Sequence, residues 1–502
     1  MKNFFNRQFN LVFLLIILVE LISFAGYLFP LINIFVFFAL IILVLILSLY
    51  RLEYGLAILL TELFINSKGY LFFLTVDKTT ISLRMAFWLV IILVWLGKTV
   101  VAWIKNKKLS IAFCKSNYYS YFITLFIFII WGAVNGLIKH NQLDNLFFDF
   151  NAWLYFALIF PIYEILQQEK NIQLIGQAFI ASITWVGLKT LFLLFVFSHN
   201  LIIAPFVLYG WIRNTGVGEI TQIQNNFFRI FFQSHIFVLV AFFIFSMILV
   251  KLINDKTWQQ NFKLFFINFL LLILSLTTIL SSFSRSFWLG LIGGVLACWL
   301  IWLLIIKINF KQFLLFNCLW LLTAIFSISL VIIIVKFPYP TSVGNFNITN
   351  VFTDRVSQLT GEAGISSRWA LLPKLWQKIV KAPILGQGFG ATVTYQTSDP
   401  RILEYNPSGK YTTYAFEWGW LDVWLKLGLF GILAYLFLFV KIIFDNIKIN
   451  SYFSLSLIVS LTVVMIVNIS SPYINHPLGI GFLILAAVLT GLSLNTLSSR
   501  KF

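Results

Sequence analysis

Long runs of apolar residues, separated by short polar connections, follow one another along the whole chain. As helices, most of these runs are long enough to cross a hydrocarbon core about 30 Å thick. They lack the alternation of apolar and polar residues that a membrane β-barrel requires. Helices are then the structure that satisfies every backbone hydrogen-bonding group in lipid. The pattern predicts an all-α polytopic membrane protein. About fourteen spans are expected, near residues 11–30, 31–50, 55–75, 85–104, 119–138, 147–166, 172–197, 235–253, 264–283, 286–306, 313–335, 418–443, 451–470 and 478–495.

Composition agrees with this class and sets the expected orientation of the spans. Hydrophobic residues make up 60% of the chain and charged residues 10%. Lysine and arginine concentrate in alternate short connections, which places those connections and both termini in the cytoplasm. This bias explains about half of the formal net charge of +18, so nucleic acid is not an expected partner. The first span lacks a small-residue cleavage site, which favours an anchor over a removed signal peptide.

One connection is far longer than packed helices need, and loops of that length are usually functional. It runs from residue 336 to residue 417, on the side that the orientation makes extracytoplasmic. The chain is therefore expected to have three parts. They are a bundle of about eleven spans over residues 1–335, the extracytoplasmic loop over 336–417, and about three C-terminal spans over 418–502.

Few charged residues fall inside the predicted spans, and each is expected to face the bundle interior or to extend toward the interface. They are Glu20, Glu62, Lys98, Lys189 and Asp149. Glu62 and Lys189 could form a structural pair or line a polar cavity. So few charges, without an internal repeat, weigh against a flippase or another multi-span transporter, the main alternative. Cysteines and histidines lack metal-ligand spacing, so neither a metal nor a cofactor is expected.

Four arginines on the expected outer side are candidate ligands for an anion: Arg213, Arg229, Arg285 and Arg368. Arg229 and Arg285 stand where a span meets the outer surface, and one such arginine alone most commonly anchors a helix to lipid headgroups. Several together favour a pyrophosphate, because a planar guanidinium binds phosphate oxygens through two hydrogen bonds. The sequence leaves both interpretations open.

Residues 366–381 have the pattern of a basic amphipathic helix lying in the membrane interface. At about 100° per residue, the apolar side holds Trp369, Leu372, Leu375, Trp376 and Ile379, and the opposite side holds Lys374, Lys378 and Lys381. Arg368 falls among the apolar residues, where a guanidinium needs an anionic partner. Pro373 predicts that the helix begins there or kinks. The glycines within residues 386–390 predict a tight turn.

Acidic and aromatic residues then meet at the start of the next span: Glu417, Trp418, Trp420 and Asp422. Indoles at an interface are ordinary anchors, and an acid at a helix N-terminus is favoured by the macrodipole. Tryptophans beside carboxylates are also how proteins bind sugar rings, and a carboxylate in a partly dry site can serve as a general base. The two interpretations carry equal weight here.

These residues resemble the O-antigen ligase and O-antigen polymerase superfamily, bacterial enzymes that act on undecaprenyl-pyrophosphate-linked glycans at the inner membrane. The resemblance extends from Ser281 to Gly431. It is carried by Arg368, Trp376, Pro383, Gly386, Gly388, Gly390, the residues 427–431, the turn around Arg285 and the span start at Asp149. It implies an architecture related to the C-type membrane glycosyltransferases and metal-independent inversion at the anomeric carbon. Arg285 and Arg229 would hold the donor pyrophosphate, and a glycan or glycolipid would be the acceptor.

The chain departs from this family at one position. In the ligases a histidine in the long loop, about eleven residues before the Leu-Gly run, activates the acceptor hydroxyl. Glu417 stands at that spacing before Gly428, and no histidine lies between His235 and His476. Glu417 is therefore the predicted base, with Asp422 as the alternative base or its orienting partner. The departure favours a surface-polysaccharide polymerase, or a transferase with another acceptor, over a strict lipid A-core ligase.

Overall fold

The computed structural model describes residues 5–77, 79–201, 204–224, 227–340, 363–404 and 406–499, and they are mainly helical. Its α-helices are α1 Arg7–Leu28, α2 Pro30–Tyr50, α3 Leu52–Ile65, α4 Leu83–Asn106, α5 Tyr119–Ile138, α6 Leu143–Asn151, α7 Ile159–Leu166, α8 Glu169–Ser198, α9 Tyr209–Asn214, α10 His235–Asn254, α11 Phe262–Ser282, α12 Arg285–Leu300, α13 Phe310–Lys336, α14 Ala363–Val380, α15 Pro400–Leu403, α16 Gly419–Ile449, α17 Tyr452–Ser470 and α18 Pro477–Ser499. Among the described residues, thirteen helices are long and apolar enough to cross a membrane. The predicted fold class, an all-α polytopic membrane protein, is confirmed.

In the described parts of the chain, short strands form three antiparallel hairpins in the connections between helices. They are β1 Phe73–Val76 with β2 Thr79–Ser82, β3 Gly218–Gln224 with β4 Phe227–Phe232, and β5 Val393–Gln396 with β6 Lys410–Thr413. The last hairpin lies in the long connection between α13 and α16.

The third predicted span, 55–75, is a shorter helix followed by a hairpin. Helix α3 has 14 residues and ends at Ile65, because Arg84 binds the backbone carbonyls of Asn66 and Ser67 and draws the chain out of the helix. Its leucines are nevertheless among the most buried residues of the chain. A helix this short fits where protein surrounds it instead of lipid.

The described residues group into two compact units, each assembled from segments that are distant in sequence. Unit 1 is drawn from Met1–Phe113, Leu158–Phe346 and Ile449–Val463, and unit 2 from Cys114–Ala157, Asn347–Lys448 and Val464–Phe502. In unit 1, α10 is the most enclosed span, with 78% of its apolar window buried. It packs mainly against α11.

Charged residues inside unit 1 are paired, but not as the sequence suggested. Lys189 pairs with Glu20 at 2.6 Å, and Glu62 pairs with Arg84 at 2.7 Å. Glu62 and Lys189, which could have formed a pair with each other, therefore have different partners. Each of these four side chains is at most 5% exposed. An uncompensated charge at such a depth is expensive, which explains why each has its own partner.

Unit 2 contains α5, α6, α14, α16 and α18. Aromatic side chains fill its centre, where the Trp153 ring lies 5.6 Å from Phe389 and 6.0 Å from Tyr435. The Tyr435 hydroxyl donates to the carbonyl of Ile474 at 2.6 Å. Phe389 belongs to the glycine-rich turn, so this turn is part of the core of unit 2.

Candidate active site

Helix α14 occupies the stretch in which an interfacial helix was predicted, and it has two separate apolar faces. Leu371, Leu375 and Ile379 are buried in a hydrophobic cluster of unit 2, whereas Trp369 and Trp376 remain about half exposed. Pro373 lies inside this helix, so the helix does not begin there. One face of α14 thus fixes the helix to the protein while the aromatic face stays accessible.

The glycine-rich turn that follows α14 has the tight backbone predicted from the sequence. Gly386, Gly388 and Gly390 have φ values of 77°, 76° and 75°, in the left-handed region that L side chains rarely adopt. Close packing imposes a second restriction. A Cβ on Gly388 would lie 2.1 Å from the backbone nitrogen of Gly136 in α5. Only glycine lets the turn approach α5 this closely.

Helix α16 is interrupted at Gly428, whose φ and ψ are 74° and −178°. The interruption releases backbone groups that lipid could not satisfy, and the glycine-rich turn binds them. Gln387 N–H donates to the Leu425 carbonyl at 2.6 Å. In return, Leu429 N–H donates to the Pro383 carbonyl at 2.9 Å. The turn and the broken helix therefore complete each other's hydrogen bonds.

A buried ionic cluster joins this broken helix to α6. The Lys426 ammonium lies 2.5 Å from Asp149 and 2.6 Å from Asp422, and the lysine is 2% exposed. Asp149 also accepts the Gly390 N–H at 2.9 Å, and Asp422 accepts a hydrogen bond from the Asn475 amide. The second acid, the candidate base Asp422, is thus enclosed with a cation and an amide. Its carboxylate stabilises the broken helix; a catalytic role for it stays a prediction.

Arg368 and Glu417 form an ion pair at the surface of unit 2, in which the Arg368 Nε donates to a Glu417 carboxylate oxygen. Their side chains are 35% and 50% exposed, respectively. The anionic partner that the sequence required for Arg368 is therefore Glu417. An exposed pair of this kind contributes little stability, typically about 0–1 kcal/mol. Its accessibility leaves both groups able to meet a ligand.

The two candidate tryptophans differ in their surroundings. Trp418 donates its indole N–H to the Arg368 carbonyl at 3.0 Å, and its ring meets Trp369 at 5.7 Å. These contacts place aromatic surface beside the Arg368–Glu417 pair. Trp420 donates to the Met465 carbonyl at 3.0 Å and packs on Phe439, so it fixes α16 to its neighbour. The structure brings Trp418 to the ion pair and directs Trp420 into helix packing.

In unit 1, Arg229 reaches the turn that precedes Arg285. Arg229 lies on β4, where its Nε donates to the Ser282 carbonyl at 2.9 Å and its guanidinium lies over the Phe231 ring at 4.7 Å. Phe283 follows with φ 44° and ψ 33°, a conformation that a bulky residue adopts only when packing enforces it. The Phe227 ring, 4.9 Å away, supplies that packing.

Arg285 is the first residue of α12 and is half-buried. The hydroxyls of Ser284 and Ser286 on either side of it lie 2.9 Å apart. Arg213 is exposed on α9, and its guanidinium donates to the Tyr209 hydroxyl at 2.7 Å. The structure therefore joins Arg229 to the Arg285 turn and leaves Arg213 with a contact inside its own short helix.

The ionic cluster contains residues that were not predicted from the sequence, Lys426 and Asn475, and the break at Gly428 was missed as well. A lysine near the end of an apolar run has the same pattern as one that extends to the interface. Its acidic partner Asp149 lies 277 residues earlier, and no local pattern links the two. The usable signal was the lysine four residues after Asp422, the spacing of an ion pair on one helix face.

Comparison with known proteins supports the family suggested by these motifs. Residues 270–436 match the O-antigen ligase family, a segment that contains Arg285, Arg368, Glu417 and the broken part of α16. A search of proteins with curated functions found no match. Residues 270–436 therefore carry an O-antigen ligase domain, and over this segment the chain is similar to the O-antigen ligase family.

Proposed function

We propose that the protein transfers an undecaprenyl-pyrophosphate-linked oligosaccharide to a hydroxyl acceptor at the extracytoplasmic face of a bacterial inner membrane. The family as a whole joins or polymerises lipid-linked glycans, which makes a glycosyl-transferring enzyme the coarse conclusion. The observation that carries the finer proposal is the presence of Arg285, Arg368 and Glu417 inside the O-antigen ligase domain.

The donor pyrophosphate is assigned to Arg229 and Arg285. Two guanidiniums neutralise the charge that grows on the leaving pyrophosphate as the bond to the anomeric carbon breaks. The hydrogen bond from Arg229 to Ser282 and the stacking on Phe231 support this role, since they orient the guanidinium before any ligand arrives. Preorganised donors of this kind stabilise a transition state without reorganising at the moment of reaction.

The acceptor is assigned to the surroundings of Glu417. The acceptor oxygen forms the new bond to the anomeric carbon, its proton passes to the Glu417 carboxylate, and undecaprenyl pyrophosphate departs with the electrons of the broken bond. The Arg368 guanidinium orients the carboxylate, and the exposed ring of Trp369 and the partly buried ring of Trp418 offer faces on which a sugar can stack.

The test is glycan transfer by the full-length protein in proteoliposomes, with an undecaprenyl-pyrophosphate-linked oligosaccharide as donor. Arg285→Ala should abolish transfer at normal protein levels. Arg285→Lys should also be poor, because an ammonium cannot reproduce the bidentate fork. Arg51→Lys is the matched control, since Arg51 pairs with Glu53 outside the proposed site. Full activity of Arg285→Ala would refute the donor assignment.

The same assay distinguishes a polymerase from a ligase by product size. A ladder of products that differ by one oligosaccharide unit indicates a polymerase, which the glutamate in place of the family histidine favours. A single product on a separate glycolipid acceptor indicates a ligase. Movement of an intact lipid-linked glycan across the vesicle membrane, without a new glycosidic bond, would instead support the flippase alternative.

A further inference from the structure

Unit 1 contains an apolar crevice that the proposed reaction does not use. Its volume is about 350 Å³, within the range of roughly 300–1,000 Å³ that is typical of ligand sites. Phe179 and Ile180 of α8, Phe245 and Met247 of α10, Leu264 of α11 and Phe453 of α17 contribute to its walls. The crevice is therefore built mainly by four helices, with Phe5 ahead of α1, and it suits a hydrocarbon chain better than a polar ligand.

The crevice lies near one end of each of these helices. It meets α8, α11 and α17 in their first turns or first third, and α10 in its last turns. On α10 the lining extends from Ile244 to Lys251, a depth of about 10 Å at 1.5 Å per residue. The opening is thus at a membrane surface, and the apolar part reaches into the hydrocarbon region.

Exposed lysines cluster at the helix ends where the crevice opens. Lys251 is the cationic residue of the lining, and its side chain is exposed. Lys170, Lys256 and Lys263 are also exposed at the same ends of α8, α10 and α11, where they outnumber Glu169 and Asp255. The amino termini of α8 and α11 add partial positive charge. An anionic headgroup is the complement of this surface.

We propose that the crevice binds one acyl chain of an anionic phospholipid from the leaflet on this side, with the lipid phosphate at Lys251. The apolar walls separate the acyl chain from neighbouring lipids. The Lys251 ammonium provides the preference for an anionic headgroup. Phospholipids surround a membrane protein, so this ligand is always available to the crevice.

The polyprenyl chain of the donor is a poorer occupant because its pyrophosphate is assigned to the other end of α11. Leu264 lines the crevice, whereas Ser282, the partner of Arg229, ends the helix. Eighteen residues separate the two positions, about 27 Å along the helix. The crevice is therefore a separate site, on the opposite side of the membrane from the proposed donor site.

The proposal is tested by native mass spectrometry of the full-length protein in detergent, titrated with phosphatidylglycerol or phosphatidylcholine. Wild type should retain one phosphatidylglycerol at concentrations where phosphatidylcholine is lost. Lys251→Ala should weaken phosphatidylglycerol binding roughly fivefold, the equivalent of about 1 kcal/mol for one basic residue at an anionic lipid. Ile180→Trp, which fills the crevice, should abolish the retained lipid.

Two variants serve as matched controls. Lys105→Ala removes an exposed lysine from α4, a helix that does not line the crevice, and Leu188→Trp adds an indole to an exposed position of α8. Both should bind phosphatidylglycerol as wild type does. Equal binding by wild type and Lys251→Ala would overturn the proposal. So would retention of undecaprenyl phosphate in preference to phosphatidylglycerol, since the occupant would then be a polyprenyl chain. Lys251→Ala needs no repacking, so it tests the proposal even where Ile180→Trp fails to fold.

Discussion

Lys426 and Asp149 lie 277 residues apart in the chain and form a buried ion pair at 2.5 Å. Asp422 completes the cluster at 2.6 Å from the same ammonium. This single lysine therefore joins α6, the glycine-rich turn through Gly390, and the broken helix α16.

Lys426→Ala is expected to destabilise the protein severely, because it leaves two carboxylates buried without a cation. Removing one partner of a buried pair costs about 3–5 kcal/mol. The triple variant Lys426→Met with Asp149→Asn and Asp422→Asn should recover most of that loss, since no charge remains. Lys448→Ala, at an exposed position of α16, is the control. Thermal unfolding in detergent measures the effect, and equal stability of Lys426→Ala and the control would contradict the structural role.

Glu417→Gln should lower turnover by about 10²–10⁴-fold, the usual loss when a general base is removed. Donor binding should persist, because the arginines assigned to it are unchanged. Arg368→Gln should lower turnover less, since it removes only the group that orients the carboxylate. Single-turnover kinetics with the lipid-linked donor separates binding from chemistry. Small and equal losses in both variants would instead indicate an exposed structural ion pair and remove Glu417 from the mechanism.

The pH dependence of stability that Tyr395 causes tests the surroundings of Glu417. Partial burial, followed by the negative charge of Glu417, raises the pKa of Tyr395 to about 12. A raised pKa means that the stability gained from the neutral phenol is fully present below about pH 10, the ordinary pKa of tyrosine. It is lost as the pH rises toward 12.

Tyr395→Phe should therefore lose less stability than wild type between pH 10 and pH 12. The difference between their thermal midpoints isolates this one group, because every other titrating residue is common to both proteins. Tyr339→Phe, at an exposed position, should follow wild type. Parallel curves for all three proteins across this interval would contradict the surroundings assigned to Tyr395.

The orientation of the chain can be tested by cysteine labelling. The background is a variant without Cys114, Cys298 and Cys318. In intact cells, Ser408→Cys should react with a membrane-impermeant maleimide, because the lysine and arginine bias places the long loop outside. Lys256→Cys should react only after permeabilisation. The opposite result would reverse the topology and refute an extracytoplasmic reaction.

The helical fold followed from the sequence because lipid permits few alternatives for long apolar runs. Helix α3 was the exception because it ends earlier than its apolar run predicts. Arg84 binds the carbonyls of Asn66 and Ser67, which the sequence pattern placed inside the span. Burial of a short helix by its neighbours is a tertiary effect. Hydropathy reports only the preference of each segment for lipid.

The candidate site was predictable in part. The need of Arg368 for an anion and the unusual position of Glu417 were visible in the sequence, and the two residues are paired in the structure. The break at Gly428 was not visible, because the surrounding leucines and phenylalanine have the pattern of a continuous span. It depends on carbonyls and N–H groups of a turn about forty residues earlier, and backbone pairing of that kind has no signature in side-chain polarity.

The separation of Asp149 and Lys426 along the chain also determines when their ion pair can form during synthesis of the protein. At about 5–20 residues per second, a ribosome takes roughly 14–55 s to make the 277 residues between them. During that interval Asp149, in the first third of the apolar segment Leu143–Leu166, has no cation, and an unpaired acid inside a span is costly. We therefore expect the span that carries it to gain its full stability only after α16 emerges. A chain truncated between Asp149 and Lys426 keeps an unneutralised acid, and we expect it to become a substrate for membrane proteolysis.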